Sequence, residues 1–191
     1  MRTATHLLTV LTWDRRGIVA AISATLAELD VELMELSQTV IHDYFTITMV
    51  VAIPEQSGLE KSLAESVRRR VGEGAAVTLV PFQAREAAPP GDRYVLTAGG
   101  EANTTVIHAL SELVAERGGN FVELNCQLTG GRVAIVAEID LPPDVALDQL
   151  QIDLQHAGEA AGVQVRLQHQ RLFTATNEIA FHWAAGRRAT A

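Results

Sequence analysis

The residues best suited to chemistry lie in one short segment, Trp13-Asp14-Arg15-Arg16-Gly17-Ile18. The segment separates an apolar run from a stretch with helical spacing, which predicts a turn leading into a helix. The first amides of a helix lack intrahelical partners and form the positive end of its dipole, which suits a carboxylate. Gly17 permits a positive φ or a close approach of backbone, and Asp14 either caps the helix or receives an ammonium group. A second interpretation is that these residues build the turn and the cap and bind nothing.

Other chemistries lack the residue patterns they need. The six histidines are scattered, with no pair at i+3 or i+4 and no cysteine beside them, so no metal site is predicted. Cys126 has no evident base, and a small buried residue is the expected role. Gly99-Gly100 precedes a predicted helix but lacks the rest of a phosphate-binding motif. We therefore expect no catalytic residue, no metal and no cofactor.

Charge and composition narrow the function further. The formal net charge is −8, with 7 − 10 = −3 before residue 82 and 8 − 13 = −5 after it. Direct binding to nucleic acid needs concentrated positive charge, so no direct nucleic-acid binding is expected of this chain. A single cysteine fits a reducing compartment, and neither a signal peptide nor a membrane-spanning run is present. These features predict a cytoplasmic protein that does not bind membranes.

The chain repeats itself at an offset of 109 − 21 = 88 residues. The shared order of apolar runs, glycines and prolines indicates a duplicated unit rather than chance. The pairs that carry the repeat are Ala21/Ala109, Ser23/Ser111, Ala27/Ala115, Glu28/Glu116, Glu35-Leu36/Glu123-Leu124, Ile47/Ile135, Pro54/Pro142, Leu59/Leu147, Gly74/Gly162, Val77/Val165 and Leu79/Leu167.

Each unit shows the order strand, helix, strand, strand, helix, strand. Right-handed crossovers then give an α+β fold with two ferredoxin-like βαββαβ modules, antiparallel sheets and helices on one face. We predict module 1 at 1–83, a linker at 84–92, module 2 at 93–174 and a C-terminal tail at 175–191. The predicted elements are Leu7–Leu11, Ile18–Leu29, Val31–Ile41, Tyr44–Ile53, Leu59–Arg70, Ala76–Phe82, Tyr94–Ala98, Asn103–Arg117, Phe121–Leu128, Arg132–Leu141, Val145–Ala161 and Val163–Phe173.

The stretch from Thr9 to Gln38 resembles the ACT domain. The Asp14-x-x-Gly17-Ile18 turn, the Ala-rich helix and the Glu35-Leu36-Ser37-Gln38 strand carry this resemblance, which extends more weakly through residues 5 to 173. Two such units without a catalytic domain are similar to the stand-alone double-ACT regulators of the glycine cleavage repressor type. In the second unit Ala102 stands in place of Asp14 and Thr105 in place of Gly17.

The resemblance implies that a ligand, typically an amino acid such as glycine, sits at the turn before the first helix. It implies a non-enzymatic regulator with a protein partner. A sheet with helices on one face leaves its other face exposed or paired with a second module, so a homodimer is expected. Two alternatives stay open: a regulatory subunit of an amino-acid or one-carbon enzyme, and a dimeric scaffold without a ligand. The candidate ligand residues are Trp13, Asp14, Arg15, Arg16, Gly17, Ile18, Ser37 and Gln38 in the first unit and Asn103, Thr104, Thr105 and Asn125 in the second.

Overall fold

The computed structural model of the chain describes residues 2–55, 58–83, 91–101 and 105–174. Within them, two sets of strand, helix, strand, strand, helix, strand follow one another, as the repeat predicts. The elements are β1 Thr3–Trp13, α1 Ile18–Glu28, β2 Glu32–Ile41, β3 Tyr44–Pro54, α2 Leu63–Val71, β4 Ala76–Pro81, β5 Asp92–Glu101, α3 Thr105–Glu116, β6 Asn120–Thr129, β7 Arg132–Leu141, α4 Leu147–Ala160 and β8 Val163–His169.

Each module contains one four-stranded antiparallel sheet. The strand order is β2-β3-β1-β4 in the first and β6-β7-β5-β8 in the second. The first strand of each module therefore lies in the middle, between the third and the fourth, as in a split βαβ arrangement. The α+β fold with two ferredoxin-like βαββαβ modules is confirmed.

The helices cover one face of each sheet. In β1, Leu8 and Val10 are fully buried, and they share a core with Ile22 of α1 and Val67 of α2. Their neighbours on the strand alternate to the other face, which the helices do not cover. Module 2 has a separate core of the same kind, built around Leu96, which corresponds to Leu8 at the offset of 88.

The duplication extends to irregularities of the backbone. The pairing of β2 with β3 shifts between Leu33 and Glu35, and that of β6 with β7 shifts between Phe121 and Glu123. Both bulges lie at corresponding positions, since 33 + 88 = 121. A bulge inserts one unpaired residue and bends its strand, so the two edge strands share the same local distortion.

The tight turns also correspond. Asp30 and His42 have φ angles of 54° and 53°, and their counterparts Gly118 and Gly130 have 70° and 59°. Module 1 thus holds non-glycine residues in the left-handed conformation where module 2 has glycine. The turns predicted at His42-Asp43 and at Gly130-Gly131 are confirmed.

Several predicted element boundaries are wrong. β1 and β5 extend beyond the predicted Leu7–Leu11 and Tyr94–Ala98 at both ends, and two other elements differ at one end. Leu59 belongs to a separate 3₁₀ turn, Leu59–Lys61, and α2 begins only at Leu63, because Ser62, with a φ of −113°, interrupts the helical backbone. The last strand was expected to reach Phe173 but ends at His169, and residues 170–174 are helical. His169 pairs with Tyr94, close to the start of β5, so little partner strand remains beyond it.

The chain divides into two compact units, Met1–Glu86 and Ala87–Ala191. The exact residues at which we predict each domain to begin and end remain predictions. Most of the expected linker, 84–90, and the whole tail, 175–191, lie outside the described residues, while Asp92 already belongs to β5.

Candidate functional site

The turn between β1 and α1 is held by backbone contacts. The Asp14 amide donates a hydrogen bond of 2.7 Å to the carbonyl of Asp43, which ties this turn to the one between β2 and β3. Gly17 follows with φ 90° and ψ 2°, a left-handed conformation that favours glycine. Ile18 then begins α1 with its side chain buried. The sequence prediction of a glycine-dependent bend leading into a helix is confirmed by this geometry.

No side chain of the described residues caps the N-terminus of α1. Gly17 occupies the N-cap position, and the first helical bond runs from the Ala21 amide to the Gly17 carbonyl, at 2.9 Å. The amides of Ile18, Val19 and Ala20 precede that bond and point along the axis at the positive end of the helix. These amides can donate hydrogen bonds to a bound carboxylate without displacing a side chain from the helix end.

Asp14 does not act as the cap that sequence analysis offered as its alternative role. Its side chain is exposed and has no hydrogen bond or ion pair within the described residues. It lies three positions before the N-cap. The carboxylate is therefore free to receive an ammonium group next to the helix end.

Arg15 and Arg16 have different surroundings. The Arg15 guanidinium donates a hydrogen bond to the carbonyl of Val71, the last residue of α2. A cation at this position satisfies an unpaired carbonyl and complements the negative end of the helix dipole. Arg16 is exposed and has no recorded partner in the part of the chain that the structure describes. Arg15 thus joins the turn to α2, whereas Arg16 remains available for an anionic group.

Trp13 lies on the sheet face that the helices leave uncovered. Its ring stacks on Tyr44 with the two centroids 4.4 Å apart and the planes 29° apart. The indole is 60% exposed. Alternation along β1 places it on the opposite side from the buried, helix-facing residues Val10 and Leu8.

Ser37 and Gln38 lie on opposite faces of the sheet. Ser37 is paired in register with Thr48 on the uncovered face, while Gln38 is paired with Ile47, whose side chain is buried under the helices. Only Gln38 is therefore on the same side as α1. Successive strand residues always alternate in this way, so the two side chains cannot contact the same small ligand from one side.

In module 2, the structure describes only part of the predicted set. Thr105 is the first residue of α3, and Asn103 and Thr104 lie outside the described residues. The Asn125 side chain donates a hydrogen bond of 2.9 Å to the carboxylate of Glu123 on the same exposed edge strand. Asn125 is the counterpart of Ser37 and, like it, lies on the uncovered face, paired with Val136.

One contact in module 1, between the two helices, is not predicted by the sequence. The Arg70 guanidinium of α2 donates to both carboxylate oxygens of Glu28 at the end of α1, at 2.7 and 2.5 Å. This hydrogen bonding holds the pKa of the Glu28 carboxyl below its ordinary value. The pair borders a shallow cavity of about 340 Å³ between the helices, also lined by Thr25, Ser66 and Arg69. Because the partners are 42 residues apart, no local pattern signals the contact.

The described residues contain no group of three or more His, Cys, Asp or Glu side chains placed to hold a metal ion. Among their helices, none has both the length and the apolar character that crossing a bilayer requires.

Comparison with known proteins places module 1 in a family. The ACT domain family profile matches residues 5–71. A UPF0237 protein of Lactococcus lactis is 39% identical over 72 residues, which are 38% of this chain and 79% of that protein. A UPF0237 protein of Methanopyrus kandleri is 37% identical over 73 residues, which are 38% of this chain and 80% of that protein.

Two solved structures share the fold over most of the chain. A crystal structure of an unknown protein from Galdieria sulphuraria is 18% identical with a TM-score of 0.71, covering 88% of this chain and 99% of that one. A protein provisionally assigned as a glycine cleavage system transcriptional repressor is 14% identical with a TM-score of 0.68, covering 88% of this chain and 98% of that one. At these identities the similarity concerns the fold alone.

Proposed function

The chain belongs to the ACT-domain family, and on that premise we propose that it is a non-enzymatic regulator whose first module binds an amino acid at the turn Asp14–Ile18. Ligand occupancy then alters the association of the chain with a protein partner in the cytoplasm. Self-association into a homodimer is part of this proposal.

The observation that carries the proposal is the start of α1, which has no side-chain cap, beside the Asp14 carboxylate, which has no partner, both among the residues that the structure describes. Free amides at Ile18, Val19 and Ala20 suit the α-carboxylate of an amino acid, and the Asp14 side chain suits its ammonium group. Gly17 adds no side chain between them, and open space surrounds the position that a Cβ would take there. The two groups common to all α-amino acids thus both have complements within one turn.

The protein partner is expected to receive the signal by contact rather than through DNA. A net charge of −8 disfavours a nucleic-acid surface on this chain itself. A coupling free energy of about 1–3 kcal/mol between ligand and partner is enough for a switch. The 14%-identical repressor-like structure makes a transcription regulator one candidate partner, with glycine as the first ligand to test.

A size argument limits the affinity for the smallest ligand. Glycine has five heavy atoms, and at a ceiling of about −1.5 kcal/mol per heavy atom its binding free energy is at most roughly −7.5 kcal/mol. That corresponds to a dissociation constant no tighter than a few micromolar. A site of this affinity responds to metabolite pools rather than to traces.

Thermal unfolding of the whole chain against each amino acid tests the proposal. A ligand that binds only the folded state at about 100 times its dissociation constant stabilises by about 2.7 kcal/mol, which raises Tm by several degrees. We expect such a shift from at least one amino acid, and a smaller one in the Asp14→Asn variant. Absence of a shift from every amino acid at about 10 mM would overturn the ligand-binding role.

A further inference from the structure

The uncovered sheet face of module 1 is free of charge over three rows of paired residues. Residues paired in register lie side by side on the same face, so the rows can be read from the strand pairing. We call this surface the outer face. Its members are Ile41, Tyr44 and Trp13 in the first row, Thr39, Thr46, Leu11 and Ala76 in the second, and Ser37, Thr48, Thr9 and Thr78 in the third.

One end of the outer face is strongly apolar. Trp13 and Tyr44 form the stacked pair, with 60% and 45% of their surfaces exposed. Ile41 and Leu11 lie beside them and are 66% and 42% exposed. Half-exposed aromatic side chains in a continuous apolar patch are typical of protein interaction surfaces.

Module 2 shows that the fold does not require this composition. The corresponding surface of the second sheet carries three charged residues and three side-chain amides, and the stacked aromatic pair is replaced by Glu101 and Arg132. The two sheets have the same strand order and the same bulge. The counterparts, in the same order, are Thr129, Arg132 and Glu101, then Gln127, Ala134, Gly99 and Gln164, then Asn125, Val136, Thr97 and Arg166.

We propose that the outer face of module 1 is the surface through which two copies of this chain associate, sheet face against sheet face. We assign a second copy of this chain to this surface because the charges on and around the surface are complementary to themselves. The outer face has no charged residue. The turns at its aromatic end have two acidic residues, Asp14 and Asp43, and two basic residues, Arg15 and Arg16. In a two-fold symmetric contact, the acidic residues of one copy can therefore face the basic residues of the other. Elsewhere, the net charge of −8 makes copies repel one another.

The small size of the face indicates a weak contact. Four strands about 4.8 Å apart and three rows about 6.8 Å apart cover roughly 400 Å². A standard interface buries about 800 Å² on each partner, so this contact is about half that size. We therefore expect a dimer that dissociates in the micromolar range. The inference rests on the self-association in the proposed function and not on its ligand.

Sedimentation velocity between about 1 and about 200 µM tests the surface, since an interface of this size should dissociate within that range. The wild-type mass should rise from 20.6 kDa towards twice that value. The double variant Tyr44→Arg with Thr78→Arg introduces the residues that module 2 carries at the same positions, Arg132 and Arg166. We expect this variant to need at least about tenfold higher concentration to dimerise, which corresponds to 1.4 kcal/mol.

The matched control places two arginines on the same face of module 2. Val136→Arg with Gln164→Arg changes the net charge equally, at exposed positions. It should dimerise like the wild type. If both double variants dimerise equally weakly, the effect is one of general charge and the assignment is overturned. A wild-type chain that stays monomeric over the whole concentration range would also overturn it. So would a Tyr44→Arg, Thr78→Arg chain that dimerises as the wild type does.

Fluorescence gives a second measurement that does not depend on the folding of the double variant. In a Trp183→Phe background, Trp13 is the only tryptophan. Association through the outer face should protect its emission from acrylamide as concentration rises, and quenching independent of concentration in a dimeric sample would contradict the proposal. A chain that dimerises in this way but gives no thermal shift with any amino acid would retain this inference and overturn only the ligand-binding role.

Discussion

At the scale of single residues, Gly17 combines a left-handed backbone with open space. Its φ is 90°, and apart from its two chain neighbours no heavy atom of the described residues lies within 4 Å of the place that a Cβ would occupy. A side chain there meets no neighbour, so any cost comes from the backbone. For L-residues the left-handed conformation costs about 1–2 kcal/mol.

Gly17→Ala should therefore lower the free energy of unfolding by about 1–2 kcal/mol in chemical denaturation. It should also weaken ligand binding, because relaxing the turn moves the first amides of α1. Gly58→Ala is a matched control, since Gly58 has a φ of 64° and equally open surroundings. The Gly58→Ala control should lose a similar free energy of unfolding but keep the ligand affinity. If Gly17→Ala has the same free energy of unfolding as the wild type, a side chain at position 17 does not strain the turn.

Asp14→Asn should leave stability within about 0.5 kcal/mol, because the side chain has no partner in the described structure. Its effect should appear in ligand affinity instead. Hydrogen bonds to charged groups contribute about 1.5–3 kcal/mol, so calorimetric titration should show affinity falling roughly tenfold or more. Asp43→Asn, on the neighbouring turn, is the control and should bind as the wild type does. If the two variants bind equally well, Asp14 is not a ligand contact.

Some of the site was readable from sequence and some was not. The bend at Asp14–Gly17 follows from local residue types. The placement of Ser37 and Gln38 on opposite faces was also available from strand alternation, although both were put in one candidate set. The capping of α2 by Arg15 was not available, because Val71 is 56 residues away and only the folded chain brings them together.

At the scale of elements, α1 and α2 are joined by the ion pair of Glu28 and Arg70. The pair lowers the pKa of Glu28, chiefly through the hydrogen bond from Arg70. A carboxyl with a lowered pKa in the folded state stabilises the fold above its unfolded-state pKa, and this contribution is lost as pH falls through the lowered value. Both groups are exposed, so solvent screening keeps the contribution small.

Glu28→Gln should therefore lower Tm near pH 7, and the difference from the wild type should shrink as the pH is lowered towards about 3. Thermal unfolding followed by circular dichroism across that range measures the difference. Glu73→Gln, at an exposed turn position that has no partner among the described residues, should show neither effect. A Tm difference that stays constant with pH would mean that the pair does not act through ionisation of Glu28.

The order of elements was predictable because the period of the apolar residues changes from two to about four along each module. Element ends were less accessible. Leu59 has the spacing of a helix position, yet the irregular backbone at Ser62 separates it from α2. The end of β8 at His169 depends on how far β5 extends, which is a property of the pairing and not of residues 170–173 themselves.

At the scale of the whole molecule, two separate cores imply that damage to one module need not spread to the other. Leu8 and Leu96 are corresponding residues and both are fully buried. Leu→Ala changes at such sites cost about 2–5 kcal/mol. We expect each variant to lower the transition of its own module only.

Tryptophan fluorescence separates these outcomes. In a Trp183→Phe chain, Trp13 reports module 1, while calorimetry reports both modules. Leu8→Ala should shift the fluorescence transition and Leu96→Ala should leave it in place. A single transition that both variants move equally would show that the modules unfold as one cooperative unit.

The most direct test of the sensing role is an NMR titration of the ¹⁵N-labelled chain with the amino acid that gives the largest thermal shift. We predict that the backbone amides of Ile18, Val19 and Ala20 move saturably, with a dissociation constant of micromolar or weaker as the size limit requires for a ligand like glycine. Saturable shifts that leave these amides unmoved and appear elsewhere would contradict the assignment of the site to the start of α1.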